Sequence, residues 1–445
     1  MIYIRQKEIQ KLFAICLFIF YGFSINAQNK WTLKQCINYA SEHNINVKQQ
    51  QNAINKLKEE TQSLKNSYLP DLNLATSQRL DFGRSLNSSN AYEDANSRST
   101  SFSLSTEIPI FTGFKTSKSI SKSKYDLKAA FEGLEDIKND LALNITTYYF
   151  QVLLNKEIAK IAEKQIELIK EQEKQTQILV ENGKVPQSQL YDILAQLADD
   201  ELKVIEASNT LKLSLLDLSQ LLELKEKETF DITEDKILPD STIINLPEGI
   251  YDISKENMPQ IKRAKYTLES SKEAIKVAQA GYYPTLSAGA GISSNYYHTG
   301  GNINAPFSEQ FKNNMQKSIY LTVNVPLFDR FKTKKNIHTA RIDTDNSRLA
   351  LDNEQKTLYK KIKKAYMDAI AAKEKLTSTS KSVLANTEAY RYAKEKYSAG
   401  KSTVYEYNES KMKLANALSE QAQAKYTYLL KTKILEFYSG KPLNE

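Results

Sequence analysis

The sequence predicts a mainly α-helical protein that carries four membrane-type β-strands and is built as two copies of one module. Three observations point there. The first is a set of landmarks that recurs in one order at nearly one offset. Ser67-Tyr68-Leu69-Pro70-Asp71-Leu72 returns as Tyr282-Tyr283-Pro284-Thr285-Leu286, Pro109-Ile110-Phe111 as Pro326-Leu327-Phe328, and Asn182-Gly183-Lys184 as Ala399-Gly400-Lys401. Measured at Pro70, Pro109 and Gly183, the offsets are 214, 217 and 217 (284 − 70, 326 − 109, 400 − 183). A period this long makes each copy a whole subdomain rather than a solenoid repeat. The second observation is strict alternation in four short segments, and the third is two long stretches almost free of proline and glycine.

In chain order, residues 1–27 read as an export signal. Arg5, Lys7 and Lys11 precede an apolar run from Leu12 to Phe23, and Ile25-Asn26-Ala27 ends on a small residue. That run is too short for a membrane span. Once it is removed Cys36 is the sole cysteine, so no intramolecular disulfide is available and packing is its expected role.

The strands are expected at about 69–82, 100–111, 284–296 and 318–328. Leu72, Leu74, Leu80 and Phe82 alternate with polar residues in the first, and Phe102, Leu104, Ile108 and Ile110 in the second. Leu286, Ala288, Ala290 and Ile292 do so in the third, and Ile319, Leu321, Val323 and Val325 in the fourth. Each is long enough to span a bilayer at a tilt, with one apolar face. Polar residues 83–99 and 297–317 read as the hairpin loops, the latter holding His298.

The remainder reads as helix. Long helices are expected at about 114–182, interrupted only by Gly133, and at 332–399; each would be on the order of 100 Å. Leu358, Ile362, Ala365, Ala369, Ala372 and onward to Tyr397 recur at alternating spacings of 4 and 3, as do Leu190, Leu194, Leu197, Glu201 and Val204 through Leu222. That is a coiled-coil seam. Shorter helices follow at about 187–222 and 402–438, with others near 44–67 and 260–281. Gly183 and Gly400 fit helix-ending left-handed positions, and Ser188, Ser402 or Thr403 are candidate caps. The first copy thus covers 28–222, a linker 223–258, and the second copy 259–445.

Composition narrows the function. The net charge of +8 falls to +6 without the signal (three basic residues, one acidic), and basic residues are interleaved with acidic ones along the chain, which gives no support to nucleic-acid binding. His43, His298 and His338 are scattered without metal-ligand spacing, no phosphate loop is present, and no nucleophile–base pair is evident. The reading is therefore a non-enzyme without cofactor. Four strands cannot close a barrel, and an open sheet edge cannot face lipid, so strands that enter a membrane require several copies of the chain.

The opening Trp31-Thr32-Leu33-Lys34-Gln35-Cys36-Ile37-Asn38-Tyr39-Ala40 resembles the TolC family of outer-membrane efflux proteins. So do Tyr68-Leu69-Pro70, the Pro-Ile-Phe and Pro-Leu-Phe strand ends, and Lys396-Tyr397-Ser398-Ala399-Gly400-Lys401. The resemblance implies a homotrimer in the outer membrane whose twelve strands form one β-barrel, continuous with a long periplasmic α-helical barrel and an equatorial region at 223–258. It implies passive conduction of small toxic molecules or drugs received from a periplasmic adaptor and an inner-membrane pump. Adaptor docking would fall on the turns at Gly183, Lys184 and Val185 and at Gly400, Lys401 and Ser402. Acidic aperture positions map to Glu406 and Glu409, with Asp192 the first-copy counterpart of Glu409 and Gln189 that of Glu406. A solvated helix face is the alternative for these acids. The family often has glycine where Arg330 and Phe331 stand. From alternation, Arg79, Asp81 and Glu107 are candidates to line the barrel interior. Two rivals stay open: a duct for secreted protein or peptide, and a secreted coiled-coil structural or adhesive protein.

Overall fold

The computed structural model describes residues 30–86, 90–225, 230–234, 246–301 and 303–443; the expected export signal lies outside them. In order, the elements are α1 (Leu33–His43), α2 (Ile45–Asn66), β1 (Asn73–Asp81), β2 (Arg84–Leu86), β3 (Tyr92–Asp94), β4 (Ser97–Phe111), α3 (Lys115–Glu181) and α4 (Gln187–Leu221). Then come α5 (Pro247–Asn257), α6 (Pro259–Gln279), a 3-10 turn (Ala280–Tyr282), β5 (Thr285–Thr299), α7 (Phe307–Asn313), β6 (Gln316–Asn324), α8 (Lys332–Ser398) and α9 (Val404–Tyr438). Helices α3 and α8 have 67 residues each, and α4 and α9 have 35 each. Lys332 follows Lys115 by 217 positions (332 − 115), and Val404 follows Gln187 by the same interval (404 − 187).

Two compact units emerge, and neither follows the boundary between sequence halves. One takes Met1–Lys48, Ile137–Ser254 and Tyr359–Glu445; the other takes Gln49–Asp136 and Lys255–Leu358. Helices α3 and α8 each contribute residues to both units.

The second unit holds the sheet, with strand order β1-β4-β5-β6 and every pair antiparallel. The register sorts side chains by chemistry. Ser77, Arg79 and Asp81 stand opposite Ser101, Ser99 and Ser97, and those in turn opposite Asn295, Tyr297 and Thr299. On the other face Leu74 meets Leu104, Leu104 meets Ile292, and Ala288 meets Leu321. One face is therefore polar and the other apolar, because side chains alternate with a period of two. The edge strands β1 and β6 are nine residues each, against fifteen for β4 and β5.

The expected loops hold structure of their own. Segment 83–99 contains the β2–β3 hairpin and the start of β4. Strand β5 runs on to Thr299, so His298 is a strand residue opposite Arg98 rather than a loop residue. Beyond the end of β6, Gln310 completes the exposed edge of β5: its Nε2 donates to the Tyr297 carbonyl and its Oε1 accepts from the Tyr297 N–H, both at 2.9 Å. Its side-chain amide substitutes for a strand neighbour.

Each strand-to-helix junction places two successive residues in the left-handed region. These are Gly113 (φ +60°) and Phe114 (+68°) before α3, and Arg330 (+56°) and Phe331 (+63°) before α8. The Phe114 ring meets Phe111 and Tyr283 edge-on, and Phe331 meets Phe328.

In the first unit, α1 begins with a capping box between Thr32 and Gln35 and buries Cys36, Ile37 and Ala40. Burial pushes the Cys36 thiol up to about 12, so it is a packing residue without a thiolate near neutral pH. Trp31 forms a short parallel bridge to Ile232, and the Tyr149 hydroxyl donates to the Thr233 carbonyl at 2.9 Å. Lys156, nearly buried, donates to the Ile232 carbonyl and pairs with Asp231 at 2.5 Å. Burial raises the Asp231 carboxyl, but its bonds from Lys156 and the Ile232 N–H outweigh this and hold it below the usual range. These residues anchor the described part of the expected linker.

Candidate functional site

The sites expected at the helix turns are built by backbone geometry. Gly183 (φ +67°) and Gly400 (φ +68°) both end a 67-residue helix in the left-handed region. At the first turn, the Gly183 N–H donates to the Val180 carbonyl and the Lys184 N–H to Leu179, both at 2.9 Å; at the second, Gly400 donates to Tyr397 at 3.0 Å and Lys401 to Lys396 at 2.9 Å. This double bond pattern is a Schellman motif, and it appears at both turns. A Cβ built on either glycine meets nothing, so φ alone demands glycine there. Lys184 and Lys401 are exposed and Val185 is half-buried. The buried Ser402 hydroxyl has no hydrogen-bond partner in the chain.

The helices leaving the turns are capped differently. Thr403 caps α9, accepting from the Glu406 N–H at 3.2 Å. Pro186 stands at that position before α4 and offers no side-chain cap. Ser188 caps nothing, since it lies inside α4. Just above the turns, Ile169, Ile193 and Val404 form a buried cluster with Leu197 and Tyr397 against it. Tyr407 stacks on Tyr397 and shares a 3.0 Å hydrogen bond with Tyr390. Burial, reinforced by that bond, raises the Tyr407 hydroxyl and keeps it neutral.

The candidate gate residues stand apart from one another in chemistry. Glu406 is exposed in the first turn of α9, where a carboxylate also complements the helix dipole. Glu409 is half-buried and paired with Lys413 at 2.8 Å. Asp192 is exposed on α4. Among the described residues no group of three or more His, Cys, Asp or Glu is placed to hold a metal ion. Arg79 and Asp81 form a 2.8 Å ion pair on β1, and the register places both on the polar face of the sheet with Glu107.

Sequence reading missed a buried ion pair. The seam on α4 was expected at Leu194 and Glu201, yet both are exposed, while Ile193 and Asp200 one position earlier are buried. Ile193 packs against Ile169 and Val404, and Asp200 is accommodated in the same row because it is paired. Asp200 accepts from Gln196 and from Lys203, each at 3.0 Å, and faces Lys411 of α9 at 3.8 Å, an ion-pair distance too long for a hydrogen bond. Lys411 Nζ and Asn408 Oδ1 are buried without hydrogen-bond partners beside a cavity of about 420 Å³. Burial drives the Lys411 ammonium below its ordinary value despite the opposing pull of Asp200. Leucine spacing favoured the register through Leu194 and Glu201, and Asp200 is recognisable as the buried acid only beside its partner Lys411.

The chain's sequence and fold are similar to those of known proteins. A family model described as outer membrane efflux protein matches residues 36–223 and 250–441. The chain is 24% identical to the outer membrane protein TolC of Escherichia coli (strain K12) over 368 residues, 79% of this chain and 72% of that protein. It is 22% identical to the toxin and drug export protein A of Aggregatibacter actinomycetemcomitans over 337 residues, 74% of this chain and 69% of that protein. Its fold is similar to a crystal structure of CusC, with a TM-score of 0.76 at 15% identity, covering 92% of each chain.

Proposed function

The chain belongs to the outer membrane efflux protein family, and from that membership we propose that it is the exit duct of a tripartite efflux system. It resides in the outer membrane, extends into the periplasm and conducts small toxic molecules or drugs passively. Energy comes from an inner-membrane pump, reached through a periplasmic adaptor. The chain is a channel and not an enzyme.

One observation carries the assembly: a four-stranded antiparallel sheet, polar on one face and apolar on the other, with both edges open. Each edge group left unpaired in hydrocarbon costs several kcal/mol, so the sheet must close. Because the strand number is even, β6 of one chain runs antiparallel to β1 of the next, and copies join without a change of pattern. Three copies give twelve strands, enough for a lumen. The polar face then lines the pore, with Arg79, Asp81 and Glu107 biasing its ion selectivity. The equal helices of the two halves, as two structural repeats per chain, give a periplasmic helical barrel with quasi-sixfold walls.

The turns at Gly183, Lys184 and Val185 and at Gly400, Lys401 and Ser402 are the adaptor-docking tips. Glu406 and Glu409, with Asp192, form an acidic aperture ring once three copies converge. The purified protein should run as a heat-modifiable trimer and conduct in planar bilayers. A monomer without conductance rejects the duct. Divalent cations should block wild-type channels and fail to block Glu406→Ala/Glu409→Ala channels, whereas an equal block in both removes the gate and leaves those acids as solvated helix residues.

A further inference from the structure

The starts of the two long helices are electrostatically inverted. Helix N-termini favour acidic side chains and disfavour cations, yet neither α3 nor α8 has an acid in its first turn. Lys115, Lys118, Lys122 and Lys124 precede the first acid of α3, Asp126, and Arg330, Lys332, Lys334, Lys335 and Arg341 precede Asp343 in α8. Charge that is interleaved along most of the chain is clustered here. Lys122 is paired with Asp126. The α8 group makes no ion pair among the described residues, and the neighbouring Asp329 carboxylate is occupied by the Thr333 N–H at 2.7 Å. Further along the same helices, Lys156, Lys164 and Arg391 have acidic partners, while Lys360, Lys361, Lys363 and Lys364 form a second basic run without an ion pair among the described residues.

Both helix starts flank the same 3-10 turn. A Cβ on Gly113 would meet the Ala280 carbonyl and Tyr283 Cβ at 3.0 Å, and one on Gly281 would meet Thr333 Oγ1 at 2.6 Å. Beside that turn lies a groove of about 470 Å³ whose walls include Tyr282, Tyr283, Lys334, His338 and Arg341. Lys334, His338 and Arg341 fall at i, i+4 and i+7, one face of α8. Tyr282 and Tyr283 are about half exposed and sit just before β5, and the exposed rings of Phe114, Phe328 and Phe331 lie at the matching junctions. Aromatic residues at the ends of membrane strands occupy the headgroup level of a bilayer. The cationic groove therefore opens just on the water side of that level, where its uncompensated charge meets lipid phosphate.

We propose that this groove binds the phosphate headgroup of an anionic phospholipid in the periplasmic leaflet, so that the assembled channel wears a basic collar beneath its barrel. The inference rests on the outer-membrane reading given above. Surface basic residues near an anionic membrane contribute about a fivefold gain each, so Lys334→Gln/Arg341→Gln should weaken retention roughly thirtyfold.

The test is native mass spectrometry of the detergent-solubilised full chain after exchange with phosphatidylglycerol or phosphatidylethanolamine. Wild type should retain phosphatidylglycerol preferentially and Lys334→Gln/Arg341→Gln should lose that preference. Lys363→Gln/Lys364→Gln, an equal charge loss further along α8, should keep it. Equal retention of the two lipids, or unaltered retention in the groove variant, overturns the proposal. So does displacement of phosphatidylglycerol by millimolar inorganic phosphate, which would make this a free-phosphate site. Conductance of the same preparations in neutral bilayers tests the duct separately, because bound lipid is read by mass and needs no open pore.

Discussion

The two halves of the chain share element lengths and turn geometry, but they place their polar and strained residues differently. Asp200 and Lys411 have Ala417 and Leu194 as their counterparts 217 positions away, and Tyr407 has Leu190. Gly113 corresponds to Arg330, Glu223 to Gly440, and Pro186 to Thr403. Helices of equal length and matching turns thus accommodate different residues at corresponding positions, and each mismatch shows what one half can do without. Either member of a pair serves as the control for the other.

The largest expected effect is at the buried ion pair. Asp200→Ala installs what the second half already has, but it strands the Lys411 ammonium in a buried site, which costs about 3–5 kcal/mol. Adding Lys411→Leu, the residue of the first half, should recover most of that loss, as replacing a whole buried pair is often neutral. Denaturation midpoints of both single variants and the double variant would measure the coupling. The wild type should also gain stability with rising pH. Lys411 has a folded value below its unfolded one, so its penalty is full below the folded value. The penalty then fades as pH rises through that value toward the ordinary lysine range. Lys411→Leu should flatten that rise.

The junctions come next. Gly113→Ala meets both a left-handed backbone and two atoms at 3.0 Å, so a loss of about 2 kcal/mol or more is expected. Arg330→Gly at the matching place should gain about 1 kcal/mol, since the same φ is held there by a residue with a Cβ. Thermal midpoints that move in the same direction in both variants would break the equivalence of the two junctions.

These pairs also mark where sequence suffices. Alternation exposed the two faces of the sheet because most apolar residues of β1, β4, β5 and β6 fall on one of them, with Gln78, Arg98 and His298 as exceptions toward the hairpin ends. The turn glycines were legible because nothing but φ is required of them. The Asp200–Lys411 pair was not, because an aspartate in a seam looks like a one-position slip toward Glu201. The β2–β3 hairpin was hidden by its short strands within a polar segment. The basic starts of α3 and α8 were lost in an overall charge that balances along the chain. Nor could the left-handed Glu223 and Arg330 be read alone; each becomes visible only beside its glycine partner.

Glu223 is the next test of that partnership. It ends α4 at φ +58°, with its N–H donating to the Gln220 carbonyl at 3.0 Å and that of Leu224 to Ser219 at 3.1 Å. Gly440 ends α9 at φ +93° with the same bonds, from Gly440 to Phe437 at 3.0 Å and from Lys441 to Glu436 at 3.1 Å. Glu223→Gly should therefore stabilise by about 1 kcal/mol, and Gly440→Ala should cost a similar amount. A loss on Glu223→Gly would show that the glutamate side chain itself is needed there.

The smallest effect separates the two tips. Thr403 spares the α9 start one orphan donor, whereas Pro186 leaves the Gln189 N–H to the Pro186 carbonyl at 3.1 Å. Exposed caps lie at the low end of their range, so Thr403→Ala should cost about 0.5 kcal/mol, and Pro186→Thr should gain no more than that. Hydrogen exchange of the first turns of α4 and α9 is the sensitive readout, because terminal fraying precedes global unfolding. Wild type should protect the Glu406 amide more than the Gln189 amide, and Thr403→Ala should bring the two together. If Glu406 stays protected, then its carboxylate rather than the threonine secures that turn, and removing the acid to test the proposed aperture would also loosen the tip proposed for adaptor docking.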